Sequence, residues 1–264
     1  MIITESFVWI NFPKTASTFV RECLRELYTI PWWNLAKKRR FKGRWMKEIQ
    51  LPNIRSKNPL RQGKPNPHGL VRQIPDEYKK LPVVSAIRPP VDWLVSLYYY
   101  GDWKKTEALP APIEKIALKF PKFPELNLWE FGNYLESFLT NSSLTIGGSE
   151  VPVGIQSMAM IEFYSPDDYY SRGQFAFTDQ SKLWDIFNKI FFVDSNYINI
   201  ELHKFLLKNG YHKKDLSFLL TKGKVNFSIK TAEDLPQSFK EKINRNEWIV
   251  NHILKTKNIK MQND

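Results

Sequence analysis

Lys14 stands in the stretch Pro13-Lys14-Thr15-Ala16-Ser17-Thr18, between two apolar patterns. The run from Phe7 to Phe12 before it reads as a buried strand. Phe19, Val20, Cys23, Leu24 and Leu27 after it have helical spacing, so a helix opens at about Ser17. A strand, a small polar loop and a helix start suit an anion. The first N–H groups of a helix have no partner within it, and its dipole favours negative charge there. Lys14 adds a point charge; Ser17 and Thr18 add hydroxyl donors. No G-x-x-x-x-G-K-[ST] pattern is present at this position, so the loop is not of the Walker type. Arg88 is the second candidate. It closes the apolar run Val83-Val84-Ser85-Ala86-Ile87, at the strand end where α/β sheets bind ligands. Ser96 follows eight positions later, about two turns along the next helix. A guanidinium and a hydroxyl converging there would clamp a phosphate. His68, in Pro67-His68-Gly69, lies between these two elements and is the candidate general base. The other three histidines, His203, His212 and His252, fall on helical patterns and read as surface residues. Glu48 and Glu77 are poorer bases, on expected helices outside the loop.

These motifs resemble those of the PAPS-dependent sulfotransferase family. Pro13-Lys14-Thr15-Ala16-Ser17-Thr18 is similar to its P-K-[ST]-G-[ST]-[ST] loop, which holds the 5′-phosphosulfate of the donor. Ala16 stands where the family has glycine, so a positive φ at this position would strain it. The segment from Arg88 to Ser96 resembles the R-x-P-x-x-x-x-x-S element that binds the 3′-phosphate. His68 lies 20 positions before Arg88, an offset similar to that of the catalytic histidine in cytosolic members. Lys222-Gly223-Lys224 resembles the late basic loop near the 3′-phosphate. The resemblance implies an α/β fold, P-loop-like, with one three-layer domain over residues 1–264 and a central parallel sheet flanked by helices. It implies PAPS as donor, Lys14, Thr15, Ala16, Ser17, Thr18, Arg88 and Ser96 as donor contacts, and His68 and Lys14 as catalytic residues. It implies no metal.

Composition narrows the classes. The 264 residues are 42% hydrophobic, enough for a sizeable core. One cysteine, Cys23, excludes an internal disulfide framework and a cysteine-rich metal site. No signal-peptide pattern and no apolar stretch of about 18 residues is found, so a cytoplasmic protein without a transmembrane segment is expected. The net charge of +12 is concentrated. From Lys37 to Lys64 there are eleven Lys or Arg and one acid, Glu48, a local balance of +10. Such a field implies an anionic partner. Trp32, Trp33 and Trp45 are interleaved with these charges, as core anchors or as ligand contacts.

The elements that must position the site follow from patterning. Residues 31–67, punctuated by five prolines, read as a basic surface insertion with one short helix near 34–48. A helix at about 75–80 precedes the strand that ends at Arg88. Val91 to Tyr100 forms the next helix, closed by Gly101. This second strand–loop–helix unit pairs with the first in a parallel sheet. Residues 102–126 are expected to be irregular, Asn127 to Thr140 an amphipathic helix, and 141–153 a polar loop. A helix at about 155–163 and a helix–strand–helix unit from Gln180 to Asn209 follow. Residues Thr231 to Asp234 have capping-box spacing ahead of one closing helix.

The expected activity is transfer of a sulfuryl group from PAPS to an acceptor hydroxyl. The charge and the tryptophans favour an anionic glycan or glycolipid as acceptor, with peripheral contact to a membrane surface and no specific nucleic acid. A nucleotide-dependent kinase of related fold lacks support from the Walker glycines and a Mg²⁺-binding carboxylate pattern. A non-enzymatic nucleic-acid binder would explain the charge but not the two anion elements.

Overall fold

The computed structural model describes residues 1–29, 43–54, 62–105, 109–139, 143–167, 175–223 and 235–263. Five strands form the main sheet: β1 (Ile2–Thr4), β2 (Val8–Ile10), β3 (Met46–Glu48), β6 (Val83–Ile87) and β10 (Ile190–Asp194), in the order β10-β6-β2-β1-β3. β2 and β10 flank β6 and run parallel to it. All three are largely apolar, as strands of a helix-covered parallel sheet should be, although Phe191 of the edge strand β10 stays exposed. The sheet is not parallel throughout. β1 pairs antiparallel with β2, and β3 antiparallel with β1. Thr4 makes the first reversal: its Oγ1 accepts from the Ser6 and Phe7 N–H groups, so four residues suffice to turn the chain. The parallel-sheet expectation therefore holds for the three strands that carry the two candidate anion elements and fails at the other edge.

Alternate residues of the strands point to two different cores. Ile3, Val8, Ile10, Ile87 and Phe192 pack with α5 (Ile155–Tyr164), α6 (Gln180–Phe187) and α10 (Trp248–Asn263). Ile2, Trp9, Val84, Ala86 and Val193 pack with α1 (Ser17–Tyr28), α7 (Ile198–Lys208) and α8 (Lys213–Thr221). Helices therefore cover both faces of the sheet. A third core joins α2 (Pro90–Tyr100), α3 (Ile113–Lys119), α4 (Leu128–Leu139) and α9 (Gln237–Asn246) around Trp103, whose ring lies 4.7 Å from that of Phe131.

Several local expectations are corrected. The 102–126 stretch contains α3, whose Ile116 is fully buried. Residues 141–153 hold a hairpin, β7 (Ser143–Ile146) with β8 (Ser149–Pro152). Gly147 and Gly148 turn it with φ of 57° and 82°, a two-glycine reversal that glycine alone adopts without strain. β9 (Ala176–Phe177) pairs with β7, while β4 (Leu51–Pro52) and β5 (Pro65–Asn66) form a small ladder before His68. Met46–Glu48 is strand rather than helix, because its main chain pairs with β1. The single closing helix is two helices broken at Glu247, whose side chain turns inward to accept from the Gln156 and Ser157 N–H groups. The 75–80 helix is one 3₁₀ turn, Asp76–Tyr78. His203 is buried, not on the surface. The expected helix near 34, Trp32, Trp33 and the cap at 231–234 lie outside the described residues. No helix among the described residues is long and apolar enough to cross a membrane.

Candidate functional site

The loop between β2 and α1 is backbone-strained. Lys14 has φ 64° and Ala16 φ 62°, both left-handed, where residues other than glycine are uncommon. Such strain, of order 1–3 kcal/mol per residue, persists only where neighbours over-determine the backbone. Three of them do. The Thr15 hydroxyl donates to the Phe12 carbonyl at 2.8 Å. The Trp93 indole N–H donates to the Pro13 carbonyl at 3.0 Å. Arg88 Nη1 donates to the Lys14 carbonyl at 3.3 Å. Ala16 is the N-cap of α1, so the helix begins where the left-handed turn ends.

The start of α1 is bare. Ala16 offers no side-chain cap, and the first turn contains no acidic residue. Among the described residues, no side chain accepts from the N–H groups of Ser17 or Thr18. Three other helices fill this position internally. Asp179 caps α6, and Glu247 reaches across to cap α5. Asn127 and Glu130 cap α4 reciprocally. At α1 the corresponding donors face a loop held by cations.

Those cations are Lys14 and Arg88. Burial pushes the Lys14 ammonium down to about 8; the like charge of Arg88 adds to this and Asp102 opposes it. Burial also lowers Arg88, with Asp92 opposing. Among the described residues no carboxylate forms an ion pair with either. Arg88 Nε is buried and finds no acceptor among the described residues. The Lys14 ammonium instead lies 3.6 Å from the centre of the Tyr100 ring, a cation–π contact. Two partly desolvated cations with no ion-pair partner among the described residues, beside helix N–H groups that no described side chain caps, form an electropositive recess suited to a polyanion.

The His68 loop docks on the strand that feeds this recess. His68 Nδ1 lies 2.7 Å from the Asn11 carbonyl oxygen, three residues before Lys14. A carbonyl can only accept, so Nδ1 carries the proton and Nε2 is the basic nitrogen. The Asn11 amide donates to the Pro67 carbonyl at 3.1 Å, so Asn11 grips the loop twice. The Met1 nitrogen donates to the same Pro67 oxygen at 2.7 Å. Gly69 packs closely here: a Cβ at this position would meet the Met1 Cε and Leu51 Cδ1 atoms at 2.7 Å, so these flexible side-chain ends would have to shift.

The expected site residues are thus placed unequally. Lys14, Ala16, Ser17 and Thr18 form the loop and helix start. Thr15 is fully buried and its hydroxyl is spent inside the loop, which leaves its main chain. Ser96 is half-buried on α2, and no hydrogen bond joins it to Arg88. Lys222 is turned away: its ammonium bonds Glu26 of α1 at 2.6 Å. Lys224, and eight of the eleven cations between Lys37 and Lys64, lie outside the described residues. Arg44 supports the fold by donating to the Gly210 carbonyl at 2.6 Å and stacking on Tyr211. Trp45 is partly exposed, with its ring 5.8 Å from Tyr78. Sequence reasoning missed Asn11, Trp93, Tyr100 and Gln156. The last is fully buried and donates to the Arg88 carbonyl at 2.8 Å. Of these, only the run Tyr98-Tyr99-Tyr100 at a helix end hinted at a contact.

Left-handed backbone at Ala16 has a measurable consequence. Ala16→Gly should stabilise the protein by about 1 kcal/mol, because relief of the left-handed clash exceeds the extra unfolded-state freedom. For a chain of this size that is about 2–4 °C in Tm. An unchanged or lower melting temperature would show that the loop carries no strain there. No family model, curated protein or solved structure matches this chain.

Proposed function

We propose that the chain is a PAPS-dependent sulfotransferase with a P-loop-like, three-layer single domain. The observation that carries this reading is the convergence of separate segments on one loop. Arg88 and Trp93 hold the carbonyls of Lys14 and Pro13, and His68 is fastened to Asn11 at the loop's entry. The chemistry of the donor set fits a molecule with phosphates at both ends. Among the described residues, the buried Arg88 Nε has no acceptor and no side chain caps the N–H groups at the α1 start.

Lys14 and the main chain of Thr15 to Thr18 would hold the 5′-phosphosulfate, and Arg88 with Ser96 the 3′-phosphate. PAPS supplies a sulfuryl group bonded to a good leaving phosphate. The residues of this chain do the remainder. His68, protonated at Nδ1, takes the acceptor hydroxyl proton on Nε2. Lys14 and the α1 N–H groups offset negative charge that grows on the leaving side. The Arg88 and Trp93 contacts keep the loop in one conformation, so little reorganisation accompanies transfer. The concentration of charge between Lys37 and Lys64 supports an anionic glycan or glycolipid as acceptor, reached from the side of the His68 loop or at a membrane surface.

Binding of the product nucleotide PAP tests the reading. At neutral pH, PAP should raise Tm by mass action, by about 2.7 kcal/mol of stability at a hundredfold excess over Kd. The effect should weaken as pH passes about 8, where Lys14 loses its proton. The unliganded protein should behave oppositely. The Lys14 pKa is depressed from 10.5 in the folded chain, so the unfolded chain binds more protons between about 8 and 10.5. Its contribution to stability therefore rises with pH across that window. A melting curve unmoved by millimolar PAP at neutral pH removes the sulfotransferase reading. A PAP shift that is constant across pH 8 removes Lys14 from the contact.

A further inference from the structure

A groove of about 820 Å³ runs along the β10 edge of the sheet and is lined by none of the residues of the candidate site. Its floor is β10, which forms the outer edge of the sheet among the described residues. Ile190 to Phe192, in the amino-terminal part of β10, line it, whereas Arg88 follows the carboxyl end of the parallel strand β6. One wall is α7, contributing Phe205, and the other is α6 with α10, contributing Trp184 and Phe187. The volume is within the ~300–1,000 Å³ of small-molecule sites, which are mostly apolar with a few polar groups. Phe191 is 44% exposed, a large aromatic left facing solvent across the groove from Trp184.

The charges of the groove are arranged along its length. At the carboxyl end of β10, Glu201 of α7 accepts from the Asp194 N–H at 2.6 Å and pairs with Lys257 of α10. That pair bridges the two walls and closes this end. It also occupies a main-chain donor on the β10 edge, which obstructs pairing by an added strand. Towards the other end, Lys204 and Lys208 line the groove from α7, four residues apart on one helix face. Both are exposed, and no acid pairs with either among the described residues.

We propose that this groove binds a single-chain anionic amphiphile, with its apolar chain among Phe187, Phe191 and Phe205 and its anionic head at Lys204 and Lys208. A slot closed at one end and cationic at the other matches a chain with one charged terminus better than a peptide strand passing through. The class comprises carboxylate, sulfate or phosphate heads on one alkyl chain, taken up free from solution rather than within a bilayer. The site is independent of the sulfotransferase reading, since none of its lining residues touches the Lys14 loop.

Displacement of a fluorescent anionic naphthalene dye by sodium laurate, below its micelle concentration, tests this on the full chain. Laurate should bind saturably with one site per chain, and more tightly than lauryl alcohol. Phe191→Glu should abolish binding. The double substitution Lys204→Glu and Lys208→Glu should weaken laurate by about tenfold or more, the loss expected for hydrogen bonds to a charged group. It should leave the alcohol unaffected. Circular dichroism reports whether each variant folds; the double variant changes exposed residues only and decides the matter if Phe191→Glu is unfolded. Absence of saturable laurate binding, or laurate affinity unchanged in the double variant, overturns the proposal. So does co-sedimentation with phosphatidylglycerol vesicles without laurate binding, which would make the lysines a bilayer contact.

Discussion

His68→Ala should slow sulfuryl transfer from radiolabelled PAPS by roughly 10²–10⁴-fold in kcat, the range for loss of a general base. PAP-induced stabilisation should stay near that of the parent protein. The separation of the two effects follows from the contacts. His68 bonds to the Asn11 carbonyl, before the loop, whereas the cations of the recess are Lys14 and Arg88. The Asn11 carbonyl fixes the tautomer, so a replacement that keeps only one nitrogen should not restore turnover unless it presents a basic nitrogen where Nε2 lies. His68→Asn would keep a donor towards Asn11 without a base, and should be as slow as the alanine variant. If either variant keeps most of its turnover, His68 is a structural latch for its loop, and the base must be sought among carboxylates.

Arg88→Met should separate stability from donor binding. The guanidinium is desolvated, has no carboxylate partner among the described residues, and makes one long hydrogen bond to the Lys14 carbonyl. A partly desolvated cation with only the unbonded Asp92 to offset its charge is destabilising, and an apolar side chain of similar length relieves that cost. The unliganded variant should therefore melt higher, by about 1 kcal/mol of stability. PAP affinity should fall by about 10–100-fold, as expected for lost hydrogen bonds from a charged donor at 1.5–3 kcal/mol. Calorimetry with PAP and a thermal melt on the same sample measure both. A variant that is less stable but binds PAP normally would make Arg88 a structural strap for the loop and remove it from the donor site.

The two strand–loop–helix units that hold the candidate anion elements were legible because each is local. A short apolar run, a break and a helical pattern lie within about twenty residues of one another. Their chemistry depends on side chains at strand ends and first helical turns. The end of α2 at Gly101, with φ 72°, was legible for the same reason. So was the parallel pairing of β2 with β6, since two apolar strands each followed by a helix have few other arrangements. The hairpin at Gly147-Gly148 was legible in principle. Its strands alternate weakly, with Leu144 the only buried residue of β7, and the turn signal was passed over as a loop.

Other features arise from residues far apart in the chain. β3 joins the sheet through main-chain bonds to β1, so the short, mostly polar sequence Met46-Lys47-Glu48 gives no sign of it. The left-handed geometry of Ala16 is imposed on a residue that does not favour it, through contacts from Thr15, Arg88 and Trp93. The proton on His68 Nδ1 depends on a carbonyl 57 positions away. Gln156 meets the Arg88 carbonyl across 68 positions. Main-chain carbonyls are present at every residue, so no residue type marks which will be presented to a distant donor. Patterns of side-chain type and spacing reveal which groups are able to do chemistry. Which of them meet, and in what protonation state, depends on where packing of the two cores leaves the strand ends.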